Sequence, residues 1–209
     1  MDFLVFDLET QRSALEVGGW DHIEEMRMSV GVVWDSAKAR FFTYYEDQVE
    51  ALIQHLQSGA LVVGYNHLGF DYKVLAGYRP PEERPGFLTR FEALPNLDLL
   101  LAIRDVLGRK IKLEDVARPT LQVGKSADGL QALEWFKDYL AGDEAKLQMI
   151  ADYCKQDVAV TRDLYLHGLE QQRIQYLDKD FGIRKLAVDW SNKPLARALP
   201  ETSEQLSFF

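Results

Sequence analysis

The sequence predicts an α/β fold, a mixed sheet flanked by helices with a small C-terminal hairpin and a tail. Three observations predict it. Short apolar runs dominate the first half, helical spacing of apolar residues dominates the second, and one isolated apolar strand interrupts the helical part. With 209 residues and 47% hydrophobic content, the chain can bury one well-formed core, but a second full domain would be cramped.

The elements follow in order. Phe3 to Phe6 reads as a buried first strand. Met26 to Trp34 and Ala39 to Tyr45 read as a hairpin around the turn residues Asp35-Ser36-Ala37-Lys38. Between Gln48 and Gln57, Val49, Leu52, Ile53 and Leu56 recur at helical spacing. Ala60 to Tyr65 is a further strand, and a helix begins near Phe70 or Asp71. Proline and glycine make Tyr78 to Gly86 a loop. Leu97 to Val106 fits strand or helix equally. Leu113 to Ala117 is a short helix stopped by Pro119, and Asp128 to Leu140 is another helix. Asp143 to about Gln171 forms one long helix or two in series, and Ile174 to Trp190 forms a second hairpin turning near Asp178 to Gly182. The resulting division is a main domain over 1–172, a hairpin extension over 173–192 and a flexible tail over 193–209.

Composition excludes several classes. No apolar run approaches the ~20 residues of a membrane span. The start, MDFLVFDLET, lacks the basic region of a signal peptide, so a cytoplasmic location is expected. The single cysteine, Cys154, excludes an internal disulfide and a cysteine-rich metal site, and reads as a small packing residue. No histidine pairs with a serine or cysteine in a pattern for nucleophilic catalysis. Val123-Gly124-Lys125-Ser126 resembles the end of a phosphate loop, but Pro119 stands where that motif needs glycine, which excludes triphosphate binding and leaves Lys125 as a phosphate contact.

Acidic residues carry the remaining signal. Asp7 and Glu9 follow an apolar strand two apart, so both project to one side and can share a divalent cation. Asp71 ends Asn66-His67-Leu68-Gly69-Phe70-Asp71, after another strand and at a helix start. Tyr153 and Asp157 lie four apart on one helix face, so a tyrosine hydroxyl stands beside a carboxylate. Each feature alone has a commonplace explanation: a strand end, a first-turn acid, a core tyrosine beside a solvated acid. Asp98, in Asn96-Leu97-Asp98-Leu99-Leu100, reads as a structural acid or as support for that site.

Taken in order, the strand D-x-E, the post-strand N-x-x-x-F-D and the helical Y-x-x-x-D resemble the DEDD, or DnaQ-like, exonucleases of the ribonuclease H-like superfamily. The tyrosine marks the DEDDy subgroup; the sister subgroup has histidine where Asp152 stands here. The resemblance covers about residues 1–170, and Leu113 to Asp157 is similar to the YprB-like, helicase-associated branch. It implies 3′–5′ hydrolysis that releases nucleoside 5′-monophosphates. Asp7 would bridge two Mg²⁺ or Mn²⁺ ions, Glu9 and Asp157 would complete the first, and Asp71 would hold the second partly through water. Such ions lie about 3.5–4 Å apart. Tyr153 would orient the attacking water, and Leu8 and Thr10 would line the pocket for the terminal nucleotide. Asn66, His67 and Phe70 would contact the strand, with Phe70 open to either base stacking or core packing.

A net charge of −9 is unusual for a nucleic-acid enzyme, because polynucleotide affinity rests largely on neutralising phosphates. The chain ends Gln205-Leu206-Ser207-Phe208-Phe209, which resembles the pentapeptide that docks bacterial proteins on the sliding clamp. Tethering to a clamp raises local substrate concentration, to as much as ~mM for short flexible linkers, and offsets weak intrinsic binding. Three readings follow. The first is a clamp-recruited DNA exonuclease of replication or repair. The second is an RNA-processing exonuclease. The third is a non-catalytic, end-binding accessory subunit, against which the complete ligand set argues. A partner subunit would be a further source of basic surface.

Overall fold

Strand β1, Phe3–Thr10, organises the molecule, a computed structural model that describes residues 2–122 and 129–191. Its side chains alternate between two cores. Leu4, Phe6 and Leu8 enter one hydrophobic cluster, while Val5 enters the other. β2 (Met28–Asp35) pairs antiparallel with β1, and β3 (Arg40–Tyr45) continues the meander. β4 (Leu61–Gly64) and β5 (Asn96–Asp98) add parallel strands on the other side, giving the order β3-β2-β1-β4-β5.

Helices cover both faces. α1 (Val49–Leu56), α2 (Asp71–Ala76) and α3 (Arg84–Glu92) pack on the Leu4–Phe6–Leu8 face. α4 (Leu99–Leu107), α5 (Leu113–Leu121), α6 (Gly129–Leu140) and the 27-residue α7 (Ala145–Gln171) pack on the Val5 face. β6 (Arg173–Asp178) and β7 (Gly182–Ala187) form a separate two-stranded hairpin. No helix among the described residues is long and apolar enough to cross a membrane.

The mixed sheet flanked by helices agrees with the sequence expectation, with four local differences. β1 runs on to Thr10, because β2 supplies partners for the whole of it. The loop expected to Gly86 gives way to α3 at Arg84; Pro85 sits in the first turn, where its missing N–H costs no helical bond. A 3₁₀ segment, Trp20–Glu25, occupies a stretch without periodic signal. Finally, α5 continues through Pro119 to Leu121. So near the helix end, proline removes one backbone bond. The extra turn is fastened to β6, since the Thr120 hydroxyl donates to the Gln175 carbonyl and accepts the Gln175 N–H, both at 2.8 Å.

The chain after β7 is held by Trp190, 4% exposed, which stacks on Tyr165 of α7. Gly168 makes that contact possible, because a Cβ there would lie 2.1 Å from the Trp190 ring.

Parallel pairing decides where the site opens. β1 is bonded to β4 only over Phe3 to Val5, after which β4 ends at Gly64. One edge of β1 from Asp7 onward is therefore free of strand partners and faces the Asn66–Phe70 turn. Crevices at the carboxyl ends of parallel strands are where ligands bind in such sheets.

Candidate metal centre

Asp7 and Glu9 leave β1 on the same face as Val5, the face that α7 covers. The register therefore points both carboxylates at a helix about 150 residues later in sequence, and Asp157 of α7 meets them. Asp7, Glu9 and Asp157 each offer an oxygen within 4.8 Å of the others, and all are partly buried. Lysine or arginine pairs with none of the three among the described residues.

Like charges at this separation, in a low-dielectric setting, favour the protonated forms. Burial raises Asp7 well above the usual carboxylate range, and the charges of Asp71, Glu9 and Asp157 raise it further. Glu9 is raised by burial and then by Asp157 and Asp71. Burial lifts Asp157 to about 6, against a hydrogen bond from Tyr153. The donor set is all carboxylate oxygen, which suits hard divalent cations such as Mg²⁺ or Mn²⁺. A bound cation would supply the missing counter-charge.

Two side chains of α7 steady this arrangement. Tyr153, one turn before Asp157, donates its hydroxyl to that carboxylate and packs edge-on against Trp135 of α6. Burial and the three acids drive the Tyr153 hydroxyl far above its ordinary value, so it stays protonated and acts as a donor. Cys154 is fully buried, with Sγ 3.4 Å from the Asp7 carbonyl oxygen and 3.7 Å from Oδ2. Its thiol is also pushed up, first by burial, and thus remains S–H. In the sequence Cys154 reads as packing alone; its position beside Tyr153 is the signal for this second role.

Asp71 approaches from the opposite side, as the first residue of α2. Its Oδ1 accepts the Leu8 N–H at 3.1 Å, taking up a backbone donor on the unpaired edge of β1. Burial pushes its carboxyl up to about 7. It stands outside the three-acid cluster yet near enough to raise Asp7.

The turn that delivers Asp71 is anchored by Asp98. This residue, 0% exposed, accepts the N–H groups of Asn66 at 2.9 Å, Leu68 at 3.1 Å and Leu101 at 3.2 Å. It therefore caps α4 and clamps the 66–70 turn at once. Asn66 adopts φ 73°, and a Cβ on Gly69 would strike its side-chain oxygen at 2.7 Å, so the turn is tight. An acid set in the apolar run Asn96 to Leu100 signals such a role, because a buried carboxylate requires donors.

The expected substrate residues divide. Leu8 is core, 4% exposed, since alternation turns it away from the carboxylates; it contributes its N–H and not a pocket wall. Thr10 is 9% exposed and donates to the Arg12 carbonyl at 3.1 Å. His67 is corrected from a strand contact to a buried brace. At 0% exposure it is shut off from solvent, burial keeps it neutral, and Nε2 lies 3.2 Å from the Asn96 side-chain oxygen, which also accepts from Tyr72. Asn66 and Phe70 remain partly exposed beside Asp71. Lys125 and Gln205, Leu206, Ser207, Phe208 and Phe209 lie outside the described residues.

Among curated proteins no match is found. Among solved structures, the chain is similar to the family B DNA polymerase from the hyperthermophilic archaeon Pyrobaculum calidifontis, with a TM-score of 0.56 at 18% identity. The likeness covers 82% of this chain and 24% of the polymerase, so the chain spans about a quarter of that protein's length and shares its fold over that part. A family model described as RNase_H superfamily matches residues 4–168, which takes in the five-stranded sheet but for Phe3 and every acid described above. The chain belongs to the ribonuclease H superfamily.

Proposed function

We propose that this protein is a divalent-metal-dependent 3′–5′ exonuclease of the DEDDy type and YprB-like branch, acting on DNA and releasing nucleoside 5′-monophosphates. The observation that carries the reading is the convergence of Asp7, Glu9 and Asp157 within 4.8 Å, with Tyr153 bonded to the third. A set of acids with no lysine or arginine partner among the described residues, together with a donor hydroxyl, suits phosphodiester hydrolysis better than a structural ion pair.

Asp7, Glu9 and Asp157 would hold the first of two Mg²⁺ or Mn²⁺ ions, with Asp7 shared and Asp71 serving the second. Bound there, the cations supply charge neutralisation at the scissile phosphate and acidify water. The chain's own groups do the rest. Tyr153 keeps its proton and donates it to Asp157, so it orients the attacking water by accepting a hydrogen bond on its oxygen and does not act as the base. Its bond to Asp157 fixes the carboxylate rotamer. Cys154 holds the Asp7 carboxylate from the buried side, and Asp71 ties β1 to the turn carrying Asn66 and Phe70.

The test uses 5′-end-labelled single-stranded DNA and RNA with Mg²⁺ or Mn²⁺, comparing wild type with Asp7→Ala. Metal-dependent shortening from the 3′ end by the wild type alone is expected. No shortening of either polymer refutes the enzyme; faster shortening of RNA reassigns it to RNA processing.

Recruitment by a sliding clamp through Gln205 to Phe209 is the second part of the proposal, motivated by the net charge of −9. Deleting these five residues is expected to abolish stimulation by a clamp loaded on DNA while sparing degradation of short free oligonucleotides. Equal loss of both activities overturns the tether.

A further inference from the structure

Apart from the carboxylate site, a second concave surface lies at the 66–70 turn. A cleft of about 810 Å³ opens beside the 66–70 turn, and Asn66 and Phe70 form part of its wall. Phe70 is the chain neighbour of Asp71, which ties the cleft wall to the turn that delivers that acid. Its other walls carry Trp20, Lys73, Arg104 and Lys110.

Trp20 is the informative residue. It is 70% exposed although it is among the largest apolar side chains, and its ring lies 6.3 Å from the Phe70 ring in an edge-to-face pair. Nothing in the core needs it there. The two rings border a space wide enough for more than one base. Lys73 on α2 and Lys110 after α4 line the same cleft, and neither forms an ion pair among the described residues. Arg104 is bonded to Asp105 at 2.9 Å, and Glu92 is the remaining acid on the wall. With Asp105 spent on Arg104, two ammonium groups and one carboxylate without an ion pair among the described residues line the cleft. This local excess of positive charge stands out in a chain of net charge −9.

Aromatic platforms beside unpaired cations are what single-stranded nucleic acid requires: stacking for each base and ammonium groups for the phosphates. A duplex gains less, because its bases are already stacked on one another. We propose that the Trp20–Phe70–Lys73–Lys110 cleft is a binding groove for single-stranded nucleic acid, holding the nucleotides next to the one at the carboxylates. This rests on the nuclease reading for its purpose but not for its test.

The experiment measures equilibrium binding of a fluorescently labelled 12-nucleotide single strand by anisotropy, in the Asp7→Asn background so that nothing is cleaved. Trp20→Ala is expected to weaken binding about tenfold, as loss of one stacking platform does. Lys73→Gln with Lys110→Gln is expected to flatten the log–log salt dependence by ~1.4, at ~0.7 per phosphate contact on single strands. A blunt duplex of the same sequence should compete at least about tenfold less well. Trp20 is on the surface, and an unchanged melting temperature verifies that the variant folds. Unchanged affinity in Trp20→Ala, or an unchanged salt slope in the double variant, overturns the groove. Strand binding that responds to these changes, without cleavage by the wild type, sustains the groove and rejects the nuclease.

Discussion

Replacing Asp7 with asparagine is expected to lower the proposed cleavage by about 10³-fold or more, since a shared metal ligand underlies several kcal/mol of transition-state stabilisation. The same change is expected to make the metal-free protein more stable. Asp7 is held above the usual carboxylate range by burial first and by Asp71, Glu9 and Asp157 next. Ionising Asp7 in the metal-free protein therefore opposes folding, and asparagine, which carries no charge, should raise the melting temperature of the metal-free protein.

The pH dependence follows from the same groups. Carboxyls raised in the fold keep protons that the unfolded chain releases near pH 4, roughly. The folded state then binds more protons than the unfolded state, so stability falls as pH rises. The loss runs from about 4 upward through the folded values, about 6 for Asp157 and about 7 for Asp71. Metal-free wild type should melt higher at pH 5.5 than at pH 8, by calorimetry at fixed ionic strength, ~0.15 M. Saturating Mn²⁺ should remove the difference, because cations replace protons at the ligands. A wild type that melts alike at both pH values, or an Asp7→Asn variant less stable than wild type without metal, would sink this account.

Asp98→Ala is expected to be the most damaging change outside the acid cluster. It strips acceptors from the N–H groups of Asn66, Leu68 and Leu101 at a position with 0% exposure. A buried donor left without a partner costs about 1–3 kcal/mol, so the total comes to about 3–5 kcal/mol even with partial relaxation. The expected fall in melting temperature is about 10 °C or more. Cleavage should fall as well, because the turn it clamps carries Asp71. Asp98→Asn keeps one acceptor oxygen and should fall between the two. As a contrast, Asp105→Ala removes half of an exposed pair with Arg104 and should move stability by less than about 0.5 kcal/mol. Thermal melts of the three variants decide it: an Asp98→Ala protein that melts within ~2 °C of wild type would mean that the clamp is not what holds the turn.

Much of this protein was legible in the sequence alone, because some properties are set within one element. Alternation along β1 placed Asp7 and Glu9 on one side, and helical spacing put Tyr153 over Asp157. Apolar periodicity marked four of the five sheet strands and left the β5 stretch ambiguous, while most of the helices and the late hairpin were also readable. α3 was missed, because its helical stretch follows directly from a run of proline and charged residues that reads as loop. Pro119 misled for a similar reason: its steric rule is local, while the contact of Thr120 with Gln175 that extends α5 comes from across the fold.

What only the tertiary structure decided was which faces meet. Periodicity could not say that α7 covers the Asp7 face, that Leu8 on the same strand is therefore core, or that β4 ends early and leaves Leu8 N–H for Asp71. Nor could it place His67 and Asp98 in a solvent-free brace, or set exposed Trp20 against Phe70. Local sequence sets the direction of a side chain relative to its own backbone. Its burial, its partners and its charge state depend on packing between residues far apart in the chain, and the carboxylate site is made entirely of such meetings.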